Sequence, residues 1–422
     1  MADPPPVPAF GWRRTGALPY LSGGFSVGCI ELEVPTPTAV GACPVLVLYP
    51  SLDNTSAHQR PEWLTGGQSE QLGRAQLADQ LGEPLAMFLM RHLGPLATGL
   101  LRIPAARGLR PAPLPESRTA DGWPVCVISH GLTGWPTAQT ALAASLCAHG
   151  AVVLLICHCD GTACVGRCAD ADRQTKEDID VQYQDWKVRQ RVMRDLGVQG
   201  PSLMAEGEAW RRQQNEHRVL EVHAALDGLN QLLRSADPDN FEGFHARTDR
   251  EVALFGHSFG GATVAACVLR DGTLGTRARF SHCFLFDPWI GGAACPLAES
   301  ELHARRLTSE LRTLRVWLND GSGMRKNAGA SAAALVGKAR EAGARTADVL
   351  CVPSNSHYAQ TDVPTVFENG PLACIYAAVK GKSDPDGKSI TAHEALRNSI
   401  SDALEPLVEE SWLAIGLAPL GG

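Results

Sequence analysis

The chain has 422 residues, 44% hydrophobic and 20% charged, an ordinary globular composition with length enough for a large core. Its formal net charge is −7, and Lys and Arg are scattered rather than clustered. Nothing in that balance supports nucleic acid as a partner.

Residues 1–20 are proline-rich and are expected to be flexible. They carry neither the basic nor the apolar region of a signal peptide, and Ala2 stands where N-myristoylation needs glycine. No apolar run is long enough to form a transmembrane helix. Thirteen cysteines follow no framework spacing, so a soluble, cytoplasmic protein with mostly reduced thiols is expected.

Val45–Tyr49, ending at Pro50, is the first clear strand, and Ser51–Asn54 is its turn. Leu85–Ile103 is the most apolar helical stretch, broken at Gly94-Pro95. Such a helix serves as core or lid, or, if exposed, as a membrane-surface contact. Val125–Ser129, a helix over about Thr137–His149 and Ala151–Cys157 form a βαβ unit, which implies a parallel sheet. Residues 160–205 read as a polar insertion. A long helix follows, with Val219, Val222, Leu226, Leu229 and Leu233 on one stripe.

Strands Phe280–Phe286, Leu314–Leu318 and Val349–Val352 come next, with Gly321–Gly343 passing from loop to helix. Gly381–Gly387 is a loop before a final amphipathic helix near Ala403–Leu417. The pattern predicts an α/β-hydrolase fold: a mainly parallel central sheet flanked by helices, with N-terminal and lid-like insertions. One domain is expected over residues 21–422, with insertions near 60–120 and 160–205.

The densest signal is Gly256-His-Ser-Phe-Gly260, which follows the apolar run Val252–Phe255 and opens an alanine-rich helix. This is the G-x-S-x-G nucleophile elbow in its strand–turn–helix setting. The turn needs glycine because a side chain at 256 or 260 would strike a neighbouring element. A serine hydroxyl needs a base, and the base needs an orienting acid. His357, after strand Val349–Val352, is the candidate base for Ser258. Asp287 and Asp320 each end a strand, and position alone permits either as the acid, slightly favouring Asp320. The N–H of Phe259 and that of Leu132, in His130-Gly-Leu-Thr-Gly134, are candidate oxyanion donors. Cys157, His158 and Cys159, with Cys164 and Cys168, lack paired C-x₂-C spacing, so buried structural cysteines are expected and no metal is assigned.

Gly256-His-Ser-Phe-Gly-Gly-Ala-Thr-Val264 closely resembles the nucleophile motif of the platelet-activating-factor acetylhydrolases, plasma and type II intracellular. Ser26–Cys29, Tyr49–Asn54, Ser129–Leu132, Phe286–Trp289 and Ser356-His357 resemble further family motifs in the same order, as does Asp362 shortly after. The resemblance implies Ser258, Asp287 and His357 as a triad, Leu132 and Phe259 as oxyanion amides, and Trp289 as a wall of the acyl pocket. It implies calcium-independent hydrolysis of short or oxidised sn-2 acyl chains of phospholipids, with no cofactor, and transient membrane contact through residues 85–103. Thr133, Cys159 and Pro288 stand where the family has glycine, arginine and alanine. Those departures bear on chain-length preference. A phospholipase A1 or broad carboxylesterase is the alternative enzyme, and a non-catalytic lipid- or partner-binding protein the alternative outside enzymes.

Overall fold

Buried apolar segments assemble into one nine-stranded sheet in the computed structural model. The structure describes residues 17–36, 42–55, 58–64, 84, 88, 91–92, 101–116, 121–168, 179–182, 186–270, 279–292, 295–297, 299–305, 307, 309–354, 356–363, 366, 391–410 and 412–413. In chain order the strands are β1 (Ser26–Pro35), β2 (Ala42–Ser51), β3 (Ala106–Arg107), β4 (Val125–Ser129) and β5 (Val152–Ile156). β6 (Val165–Cys168) and β7 (Ile179–Gln182) form a separate pair. β8 (Val252–His257), β9 (Phe280–Phe286), β10 (Thr313–Asn319) and β11 (Thr346–Val352) complete the sheet, in the order β11-β10-β9-β8-β4-β5-β2-β1-β3. From β11 to β5 every pairing is parallel. β2 then runs antiparallel to both β5 and β1.

Strands β4, β5, β8 and β9 are buried along their whole length, as parallel strands covered on both faces must be. Alternation divides their side chains between two cores. Val125, Val127, Val252 and Leu254 face helices α3 (Gly200–Ala236), α4 (Phe259–Arg270) and α6 (Gly323–Glu341). Cys126, Ile128, Ala253 and Phe255 face α1 (Thr140–Ala148) and α7 (Ala392–Glu409). The described residues also form α2 (Trp186–Asp195), α5 (Glu299–Ala304) and a single helical turn at Pro238–Phe241. The predicted stripe from Val219 to Leu233 is wholly buried on α3.

Asp362 supplies the N-terminal cap of α1 from a distant loop. Its carboxylate accepts from Thr140 N–H at 2.7 Å, Thr140 Oγ1 at 2.6 Å and Ala141 N–H at 3.1 Å. Burial pushes its pKa up to about 7.

Four expectations change. Val45–Tyr49 is not the first strand, because Ser26–Pro35 pairs with it and exposes Glu31 and Glu33 to solvent. Of the segment expected to be flexible, residues 1–16 lie outside the described residues, and Ala17 and Leu18 pack into the fold. Both are buried, and Leu18 N–H donates to the Arg102 carbonyl at 3.0 Å. Most of Leu85–Ile103 lies outside the described residues; Phe88, Arg91 and His92 are helical as expected, but the end of the stretch is not, since Arg102 bridges to Ala17 and Glu62 while Leu101 and Ile103 are buried. The last helix begins at Ala392 rather than Ala403, where Thr391 and Glu394 form a capping box. Gly381–Gly387 lies outside the described residues. Among the described residues no helix is long and apolar enough to cross a membrane.

The chain passes from β4 outward to β5, then returns to set β8 on the other side of β4. Such a reversal marks the usual ligand position in these sheets, at the C-terminal ends of β4 and β8. The loop 130–134 and Ser258 both lie there.

Candidate active site

Ser258 leaves β8 in the left-handed region, at φ +55°, where a residue with a Cβ is strained. The turn around it is fully determined. Ser258 N–H donates to the Phe286 carbonyl at 3.0 Å, and its own carbonyl accepts from Trp289 N–H at 2.9 Å and Gly261 N–H at 3.0 Å. The glycine requirement read from the motif is steric. A Cβ on Gly256 would run into the Gly260 carbonyl, and one on Gly260 into that of Ser129.

Asp287 ends β9, also with a positive φ, +41°, and is completely buried. Its Oδ2 accepts from His357 Nδ1 at 2.6 Å and its Oδ1 from the Asn319 N–H at 3.0 Å. That arrangement fixes the imidazole tautomer with Nε2 free to accept a proton. Asp320 is exposed at the end of β10, so of the two acids left open by position it is Asp287 that meets the histidine. Among the described residues Ser258 makes no hydrogen bond to His357, and such contacts often tighten only around substrate.

The loop after β4 packs against the serine: a Cβ on Gly131 would lie 3.1 Å from Ser258 Cβ. Thr133 takes φ +59°, a glycine-like conformation, and its N–H donates to the Thr162 carbonyl at 2.7 Å. The loop thus keeps the path a glycine would take, held by the neighbouring segment. Leu132 lies in this loop, and Phe259 opens α4, where the helix ladder offers its N–H no acceptor. Trp289 packs edge-on to Phe259 with ring centroids 6.0 Å apart. A cavity of about 260 Å³ is lined by Ile290, Gly291, Gly292, Cys295 and Leu297, with Glu208 and Arg212 among its polar groups.

Two supports escaped the residue pattern. His257 Nε2–H donates to the His357 carbonyl at 2.7 Å, and their rings lie 4.7 Å apart. Burial holds the His257 pKa down to about 3, so this imidazole stays neutral. Asn319 is fully buried and donates from Nδ2 to the Ser356 carbonyl at 2.9 Å, holding the loop that carries His357. His257 sits in the variable position of the motif, and Asn319 directly before the rival acid, so only their position pointed to them.

Cys157 and Cys164 are buried free thiols, whereas Cys159 is disulfide-bonded, an exception to the expected reduced state. Among the described residues no cluster of His, Cys, Asp and Glu could hold a metal ion.

In solved structures this chain is similar to a ferulic acid esterase from Streptomyces cinnamoneus. Identity is 16%, with 91% of this chain and 89% of that one covered at a TM-score of 0.46. It is also similar to a bacterial heroin esterase, 13% identical with 89% and 85% covered, at a TM-score of 0.38. In sequence it is 26% identical over 284 residues to the platelet-activating factor acetylhydrolase of Canis lupus familiaris, covering 66% of this chain and 56% of that protein. The Bos taurus protein of the same name is 25% identical over 281 residues, covering 65% of this chain and 55% of that one. The chain therefore spans little more than half the length of these curated relatives. Residues 11–307 match the family described as platelet-activating factor acetylhydrolase, isoform II, a span that holds Ser258 and Asp287 and stops short of His357. With most of its length inside that match, the chain belongs to the platelet-activating factor acetylhydrolase, isoform II family.

Proposed function

We propose that this protein is a serine esterase of phospholipids, hydrolysing a short or oxidised sn-2 acyl chain through an acyl-serine intermediate. The observation that carries the reading is the His357–Asp287 hydrogen bond of 2.6 Å beside a strained serine at the elbow. In this reading Ser258 Oγ attacks the ester carbonyl and His357 Nε2 takes its proton, while Asp287 stabilises the imidazolium. Charge on the carbonyl oxygen is met by the N–H groups of Leu132 and Phe259. His357 then protonates the departing lysophospholipid oxygen. Water, activated by the same imidazole, releases the acid and restores the serine. Trp289 borders the acyl chain, and family membership supports the choice of a phospholipid substrate. Serine, imidazole and carboxylate supply every proton transfer, so turnover is expected without added calcium.

The test is a paired initial-rate assay, without added calcium, on 1-alkyl-2-acetyl-glycerophosphocholine and a long-chain diacyl phosphatidylcholine. Ser258→Ala serves as the blank. Serine-dependent acetyl release with little long-chain cleavage is expected. Dominant release from sn-1 would make the protein a phospholipase A1, and no serine-dependent release from either lipid would remove the enzymatic reading.

A further inference from the structure

Beneath the candidate oxyanion loop lies a set of fully buried charges that the hydrolytic reading does not use. Arg218, on α3, is 0% exposed and its partner Asp160 1%. The guanidinium Nε donates to Asp160 Oδ2 and to Thr162 Oγ1, each at 3.0 Å, and an NH2 group donates to the same hydroxyl. The other arm donates to the His130 carbonyl at 2.7 Å. The guanidinium carbon Cζ lies over the Phe259 ring, 4.4 Å from its centre. Asp160 Oδ1 accepts from the Thr162 N–H at 3.0 Å and from its hydroxyl. Thr162 in turn presents the carbonyl that fixes Thr133. A further bond, Cys164 N–H to the Gly134 carbonyl at 2.9 Å, grips the far end of the loop.

A neighbouring row, Ser129–His158–Glu221, has a serine, histidine and carboxylate linked at 2.8 and 2.6 Å. All three are 0% exposed, so no ester reaches them and the row is a brace. Arg218 differs because both of its outward contacts end on the carriers of the candidate oxyanion amides. A buried ion pair is a costly means of stability alone, since apolar side chains of similar volume do as well or better. What the planar fork adds is geometry: several fixed donors and a flat face on one rigid group.

We propose that Arg218 is a positioning residue for the oxyanion hole, holding the Leu132 loop and the Phe259 ring in one frame from beneath. The proposal rests on the hydrolase reading for its role in turnover, though the clamp itself is a structural claim. Asp160 balances the charge, and the Thr162 turn transmits the hold to Thr133. A lysine at 218 would keep the charge and lose the fork.

The test compares wild type with Arg218→Met/Asp160→Asn, which removes both members of the ion pair together, and with Arg218→Lys and Thr162→Val. Melting curves establish that each variant is folded. With p-nitrophenyl acetate, kcat of the double variant is expected to fall by about 10²-fold while KM changes by less than about threefold. Thr162→Val, the milder change, should lose about tenfold in kcat, and Arg218→Lys should recover only a small part of the loss. Amide hydrogen exchange over 130–134 should quicken at least about tenfold in the double variant, with Val152–Ile156 unchanged. A folded double variant or Thr162→Val with wild-type kcat overturns the proposal, as does unaltered exchange in the loop. A wild-type protein without Ser258-dependent hydrolysis would instead sink the hydrolase reading, and the exchange result would still decide the clamp.

Discussion

Asn319 and Gln360 exchange amide hydrogen bonds in both directions: Asn319 Nδ2 donates to Gln360 Oε1 at 2.9 Å, and Gln360 Nε2 donates back to Asn319 Oδ1. Because the Asn319 N–H also holds Asp287, one residue ties the acid to the loop that carries the imidazole. Asn319→Ala should therefore lower kcat by about 10- to 100-fold, as expected for misplacing a reacting group. It should also cost about 1–3 kcal/mol of stability through the unpaired Gln360 amide. Steady-state kinetics beside urea melts check both. A wild-type kcat in a folded variant would remove Asn319 from the site.

The two aspartates offer a sharper comparison. Asp287 is buried against His357, whereas Asp320 is exposed at the end of β10. Asp287→Asn should reduce kcat by about 10⁴-fold, because an amide favours the wrong imidazole tautomer. Asp320→Asn should stay within about twofold, like other surface substitutions away from the reacting groups. Initial rates of the two variants, each verified as folded, decide the assignment.

The elbow was legible because its requirements are local. Gly256, Ser258 and Gly260 lie within one turn, and the apolar run before them reads directly as strand β8. Strands β4, β5 and β9 were equally plain, since burial on both faces leaves uninterrupted apolar runs. The choice between Asp287 and Asp320 depended on where two strand ends point, and periodicity carries no such information. Arg218, Thr162 and Asn319 were invisible for the same reason: each acts on groups far away in the chain. Ser26–Pro35 was missed as a strand although its motif was recognised, because Glu31 and Glu33 interrupt its apolar run where one face meets solvent.

Backbone strain at Ser258 gives a stability prediction that separates two inactive variants. At φ +55° a Cβ is unfavourable, and glycine removes it. Ser258→Gly and Ser258→Ala should both lose turnover, but the glycine variant should be more stable than the alanine variant by about 1 kcal/mol. Parallel urea titrations measure the difference. Equal midpoints would mean that the surrounding turn, not the Cβ, carries the strain.

Proton linkage gives the last prediction. Burial holds the pKa values of His130 and His257 down to about 3, and lowers those of His158 and His282 as well. In the unfolded chain each imidazole takes a proton near pH 6.5, so unfolding between about pH 6.5 and 3 binds protons. Stability must then fall as the pH drops through that window. For His130 and His257 the fall is about 2 kcal/mol each between pH 7 and pH 5. Asp362 works in the opposite sense, since its pKa is raised to about 7 and its folded carboxyl binds a proton that the unfolded one releases. It offsets about one histidine; the raised pKa values of Glu221, Asp402 and His217 act in its sense, and the lowered values of His149 and His223 add to the histidine side, which keeps the larger number of groups. Urea unfolding at pH 7.5, 6.0 and 5.0 should show this loss, and His257→Gln should reduce the proton uptake on unfolding by about one. A pH-independent midpoint across that range would show that these imidazoles titrate normally in the folded protein.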